Sequence, residues 1–131
     1  METNKRVVRS FYEEVVNRGE VGKLADFVAP SLLQQMKAHL LAVRSTYPDL
    51  TLEVGRQIAE GEWVVTCVLA RGTHLGSWLG LDPSGKTVQI AGVNVDRLEN
   101  GLIVEHGGAA NTLDALLESG ILEVPLGGKK D

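Results

Sequence analysis

Cross-links are missing from this chain. Cys67 is its one cysteine, so no internal disulfide can hold the fold, and that usage fits a reducing, cytoplasmic setting. The opening Met1-Glu2-Thr3-Asn4 shows none of the basic-then-apolar pattern of a secretion signal, which points the same way. A basic excess is missing too. Lys and Arg number 13 against 17 Asp and Glu, and the net charge of −4 argues against nucleic acid as a partner, because phosphate-binding surfaces concentrate cations. Aromatic residues make up only 5% of the chain, so Trp63, Trp78, Tyr12 and Tyr47 each matter as core or as ligand wall.

Metal-ligand spacing is absent as well. His39, His74 and His106 are the only imidazoles; none stand three or four apart on a helix and no cysteine pair joins them, so no metal site is expected. No strand-linked Gly-x-Gly-x-x-Gly fingerprint is present, and no nucleotide or other cofactor is expected. What is there is an ordinary folding composition. With 44% hydrophobic and 23% charged residues, 131 residues should make one domain that neither spans a membrane nor stays disordered. We assign that domain to residues 1–124 and the small, charged stretch 125–131 to a frayed tail.

Apolar pairs four apart, from Val7-Val8 through Phe11-Tyr12 to Val15-Val16, predict a helix that Thr3 caps and Gly19 ends. A second, short helix follows over Lys23–Val28 until Pro30 interrupts it. Ser31 and Gln34 form a capping-box pattern for a third helix, whose apolar face runs Leu33, Met36, Leu40, Val43, Tyr47. Beyond Leu50 the period becomes two. Leu52, Val54 and Ile58 mark one face of a first strand; Trp63–Thr73, apolar on both faces, reads as a central strand covered on both sides. Ser77–Leu81 is short strand or loop, Thr87–Leu98 the third long strand, and Asn100-Gly101 a type I′ turn into a strand over Leu102 to about Ala110. Thr112–Leu117 reads as a last short helix. Helices followed by antiparallel strands give an α+β fold in which a strongly curved sheet lies over the helices, enclosing a blind, mainly apolar pocket.

Alternation places Val88, Ile90, Gly92, Asn94 and Asp96 on one face of the third long strand. On the next strand Glu105, Gly107, Ala109 and Asn111 share a face and His106 takes the other, unless Gly107-Gly108 shifts the phase. The glycines between Gly72 and Gly92 permit sharp bends or close backbone approach.

The motifs Arg71-Gly72-Thr73-His74-Leu75-Gly76, Gly80-Leu81-Asp82-Pro83-Ser84-Gly85-Lys86, Gly92-Val93-Asn94-Val95-Asp96-Arg97, Gly101-Leu102-Ile103-Val104-Glu105-His106 and Thr112-Leu113 resemble the SnoaL-like polyketide cyclases of the nuclear transport factor 2-like superfamily. The resemblance implies a cone-shaped α+β barrel, a homodimer, and a cofactor-free intramolecular aldol closure in which an acidic residue moves protons inside a hydrophobic pocket. Two departures from the family pattern stand out. Asn94 and Asn111 occupy positions where the pattern has Asp, with Gly107 in place of Trp; and Phe27-Val28-Ala29-Pro30 runs straight into Ser31, without the usual His-Asp-Pro-like stretch. An amide can orient an enol but cannot carry its proton.

These readings define the candidate site. Asp96 is a replacement base or a rim carboxylate paired with a cation. His74 is a proton shuttle or ligand donor, or else it ties a loop. Asn94 and Asn111 hold a developing enolate oxygen, Trp78 walls the ligand or a subunit contact, and His106 is a further binding candidate. The function expected is a divergent cyclase or isomerase for a small apolar or polyketide-like ligand, with a non-catalytic binding or dimerisation module as the competing class.

Overall fold

The computed structural model describes residues 2–77, 80–110 and 117–121. Its first helix, α1 (Glu2–Ser10), runs without a break into a π-helical stretch over Phe11–Asn17. Each π-helical amide reaches back five residues, as Arg18 N–H does to the Glu13 carbonyl at 3.2 Å. Phe11, Tyr12, Val15 and Val16 are all buried, so the paired apolar pattern serves this wider turn. The helix starts at Glu2, which puts Thr3 inside its first turn and not at the cap. The second helix is a 3₁₀ turn over Val21–Asp26, starting two residues earlier and wound more tightly than the α-helix expected over Lys23–Val28. Val28 already pairs with Ile103 in a parallel bridge.

Helix α2 spans Pro30–Thr46. Pro30 supplies its first residue and Ala29 its cap, with no side-chain capping bond, so the Ser31/Gln34 capping box does not form; a proline at the first position needs no partner for an N–H it lacks. The Arg44 guanidinium ties this helix to the first one, donating to the carbonyls of Val16 at 2.5 Å and Asn17 at 2.7 Å. The Asn17 amide in turn donates to the Leu52 carbonyl at 2.8 Å and accepts from the Leu52 N–H at 2.6 Å, imitating one residue of a neighbouring strand.

Strands β1 (Thr51–Glu60), β2 (Trp63–Thr73), β3 (Thr87–Glu99) and β4 (Leu102–Ala110) form one antiparallel sheet in the order β1-β2-β3-β4. Strand β2 is central, as expected. A bulge between Val54 and Gln57 sets two residues of β1 against Cys67 alone, which turns Gln57 and Ala59 inward and leaves Ile58 outward, 56% exposed, instead of beside Leu52 and Val54. Asn100 and Gly101 both take positive φ, 52° and 79°, in the turn joining β3 to β4. The core lies between the helices and the sheet's inner face, where Val8, Phe11, Val15, Leu24, Val28, Val64, Leu98 and Ile103 are fully buried. Each contributes roughly 1.5–3 kcal/mol by leaving water.

Among the described residues no helix is long and apolar enough to cross a membrane. Apart from Leu117, the short helix expected over Thr112–Leu117 lies outside the described residues, as do the tail 125–131, Trp78 and Asn111.

Candidate functional site

A cavity of about 630 Å³ opens between the helices and the sheet. Its helical wall is Phe11, Tyr12, Val15 and Val16 of the first helix with Leu32, Met36, Leu40 and Val43 of α2; its sheet wall includes Val68, Ala70, Ile90, Gly92, Asn94 and His106. Most of this lining is apolar. Polar groups enter at two places. Tyr12, Asn94 and His106 stand together where β3 and β4 meet the first helix, while exposed Gln35 and His39 and half-buried Arg44 lie along α2.

The phase predicted for β3 holds. Asn94 and Asp96 both turn inward, and the β3–β4 register sets Asp96 opposite His106 and Asn94 opposite Gly108. His106 therefore shares their face. Its Nδ1 lies 2.5 Å from Asp96 Oδ1, with the Asp96 side chain 1% exposed and the His106 side chain 25% exposed. Asp96 does not itself line the cavity; it lies behind the imidazole that does, and its Oδ2 is buried with no hydrogen-bond partner among the described residues. The carboxylate is thus the buried reading of the two that were open, paired with a histidine instead of a surface cation. Phe11 packs edge-on against the His106 ring at 6.4 Å between centroids, which fixes the ring's plane.

Asn94 Nδ2 donates to the Tyr12 hydroxyl oxygen at 2.5 Å. Burial first, and then the negative charge of Asp96, push the Tyr12 pKa far above its ordinary value, so the phenol keeps its proton and remains a donor. The sequence leaves Tyr12 as core or ligand wall, with core packing the default. Its helical period gives no sign that the hydroxyl meets a polar partner 82 positions away. Gly108 makes room for this pair, since a Cβ there would stand 2.5 Å from the Val93 carbonyl oxygen and overlap the Asn94 Oδ1.

His74 is elsewhere. It is fully buried, is not part of the cavity lining, and its Nδ1 lies 3.0 Å from the Ser84 hydroxyl. Its backbone closes the loop between β2 and β3, donating to the Lys86 carbonyl and accepting from Gly85 N–H. This geometry matches the loop-tying reading of His74.

That loop also carries, over Gly80–Thr87, the spacing Gly-x-x-x-x-Gly-Lys-Thr of phosphate-cradling loops, which the expectation of no nucleotide motif overlooked. The setting is wrong for a phosphate. The segment leads into strand β3, where a cradle needs a helix N-terminus; the Lys86 ammonium donates to the Gly120 carbonyl and the Gly85 and Lys86 amides are already engaged. Among the described residues no three of His, Cys, Asp and Glu converge on a possible metal position.

A family model for SnoaL-like polyketide cyclases matches residues 6–118. The chain belongs to the SnoaL-like polyketide cyclase family. Solved members of this fold superpose closely. TsrD from Streptomyces laurentii aligns with a TM-score of 0.84 at 21% identity, over 92% of this chain and 97% of that one. A SnoaL-like polyketide cyclase from Agrobacterium tumefaciens aligns at 0.80 and 17% identity, over 90% and 98%. AclR from Streptomyces galilaeus, proposed to be a hydroxylase, aligns at 0.82 and 25% identity, over 95% and 86%. No protein of curated function matches the chain in sequence. The SnoaL-like fold is therefore established, together with the cyclase and isomerase type of scaffold that the family represents.

Proposed function

We propose that this SnoaL-like protein moves a proton at the carbon beside a ketone in a small, apolar, polyketide-like ligand, without a cofactor, as a cyclase or isomerase. The observation that carries the reading is the Asp96–His106 pair opening onto an apolar cavity. With Nδ1–H donated to Asp96, the Nε2 of His106 is the unprotonated nitrogen and acts as general base. It removes the proton from carbon. The electron pair of that C–H bond becomes the enolate, whose oxygen accepts hydrogen bonds from the Tyr12 hydroxyl and from Asn94. In a ligand with a second carbonyl, the enolate carbon attacks it, a C–C bond forms, and the resulting alkoxide recovers the proton from Nε2. Return of the proton to a different carbon gives isomerisation instead. Asp96 is a positioning residue in this scheme, His74 keeps the loop, and Trp78 completes the proposed ligand-binding set.

The test is proton exchange on a ketone that exchanges slowly by itself. In D₂O the wild type is expected to wash deuterium into the methyl group of 2-acetylnaphthalene, followed by proton NMR. Binding of this ketone with exchange no faster than buffer would overturn the catalytic reading in favour of the non-catalytic binding module.

A homodimer is the second part of the proposal. Alternate residues of the sheet face away from the cavity, and there Ile58, Val65, Cys67, Leu69, Ala91, Val93, Val95 and Ala109 make a nearly unbroken apolar surface. Contiguous apolar faces of this kind normally carry a partner. Val93, 41% exposed at its middle, is the position to charge. Val93→Glu is expected to convert a dimer into a folded monomer by native mass spectrometry or scattering, and a monomeric wild type at micromolar concentration would refute the dimer.

A further inference from the structure

We propose that the ligand of this cavity is a monoanion, an apolar ketone that carries a free carboxylate seated against Arg44 on the α2 wall. The proposal rests on the proton-transfer reading above and adds a substrate class to it. The chain as a whole is acidic, with 17 Asp and Glu, yet no acidic side chain lines the cavity among the described residues. The ionisable groups that do, apart from the two tyrosines, are Arg44, His39 and His106. His106 already has its counter-charge in Asp96. Arg44 has none among the described residues. Its hydrogen bonds go to the Val16, Asn17 and Pro48 carbonyls at 2.5, 2.7 and 3.1 Å, which satisfy donors but carry no net charge.

A half-buried guanidinium beside apolar walls gains more from an anion than it would in water, because the effective dielectric is lower. Three of its five N–H donors are engaged, both of Nη2 and one of Nη1, which leaves Nε–H and one Nη1–H on different edges of the guanidinium, so a carboxylate meets it through single charge-assisted hydrogen bonds and not through a fork. Arg44 is itself only half-buried, so a carboxylate seated on it keeps part of its hydration. One permanent cation matches one negative charge; a dianion would leave the second uncompensated.

The test compares 6-acetyl-2-naphthoate with its methyl ester by titration calorimetry, and reads deuterium exchange of the acetyl group separately. The acid is expected to bind about tenfold or more tighter than the ester, with the difference shrinking as salt rises. Leu41→Glu, at an exposed position one turn before Arg44 on α2 and outside the cavity lining, offers the guanidinium a counter-charge; with the fold checked by circular dichroism, it is expected to lower the acid's affinity several-fold with little change for the ester. Equal or tighter binding of the ester, or equal loss for both ligands in Leu41→Glu, overturns the proposal. Exchange on a preferred ester would leave proton transfer standing and the carboxylate refuted. Tight binding of the acid without exchange would do the reverse, and failure of both to bind refutes both.

Discussion

Proton exchange on 2-acetylnaphthalene is expected to fall by about 10²–10⁴-fold in His106→Gln, the range a positioned general base supplies. Glutamine keeps hydrogen-bonding capacity at the position but has no nitrogen that accepts a proton near neutral pH. Ligand binding, measured by calorimetry on the same variant, should change little, because most of the lining is apolar and untouched. The companion variant separates the base from its support. Asp96→Val removes the group that fixes the His106 tautomer, and a loss of about 100-fold is expected from the general base it orients. Stability is expected to stay level or fall by roughly 1–3 kcal/mol, because the substitution takes a buried carboxylate out of the interior but leaves the His106 Nδ1–H without its acceptor. Slower exchange in a variant that still folds and binds the ketone would mark Asp96 as the support of the base. Unchanged exchange in either variant would remove the pair from the mechanism.

Gly76→Ala is expected to destabilise the fold by roughly 3 kcal/mol or more, lowering the midpoint of thermal unfolding by about 10 °C. The loop after β2 crosses the end of α2 here, with Leu75 and Gly76 N–H groups both donating to the Thr46 carbonyl at 3.0 and 3.1 Å. A Cβ at Gly76 would run into the Ser45 carbonyl oxygen, with the Ser45 carbonyl carbon at 2.9 Å and Thr46 Cα at 3.0 Å. These are backbone atoms of a helix, so neither side can yield cheaply. Gly22→Ala is the control. No atom lies within 4 Å of its added Cβ and its φ is not positive, so alanine there should be neutral or slightly stabilising, by up to about 1 kcal/mol. Equal unfolding midpoints for the two variants would disprove the close-approach account.

Much of this arrangement was legible in the residues themselves. Strict alternation from Val88 to Leu98 placed Asn94 and Asp96 on one inner face, and Asn100-Gly101 fixed the hairpin that follows. Motifs spread from Arg71 to Leu113 pointed to the family. Local pattern could not supply the pairing of His106 with Asp96, because it depends on the register between β3 and β4, which a bulge beside Leu98 resets. The outward turn of Ile58 has the same origin: a bulge adds one residue without a signal in hydrophobic period. Tyr12 was hidden for another reason. An amphipathic helix shows which side chains go inside, and says nothing about whether a hydroxyl at the tip finds an amide there. Arg44 escaped notice because its partners are main-chain carbonyls, which every residue possesses.

A β-sheet is only one backbone thick. Val93 and Val95 stand on the convex side with Asn94 between them on the concave side, so a second subunit resting on the valines would press on the reverse of the very peptide units that aim Asn94 and Asp96. Drift at one surface is thereby answerable to the other, and neither association nor ligand choice can evolve along β3 without the opposite side registering the change.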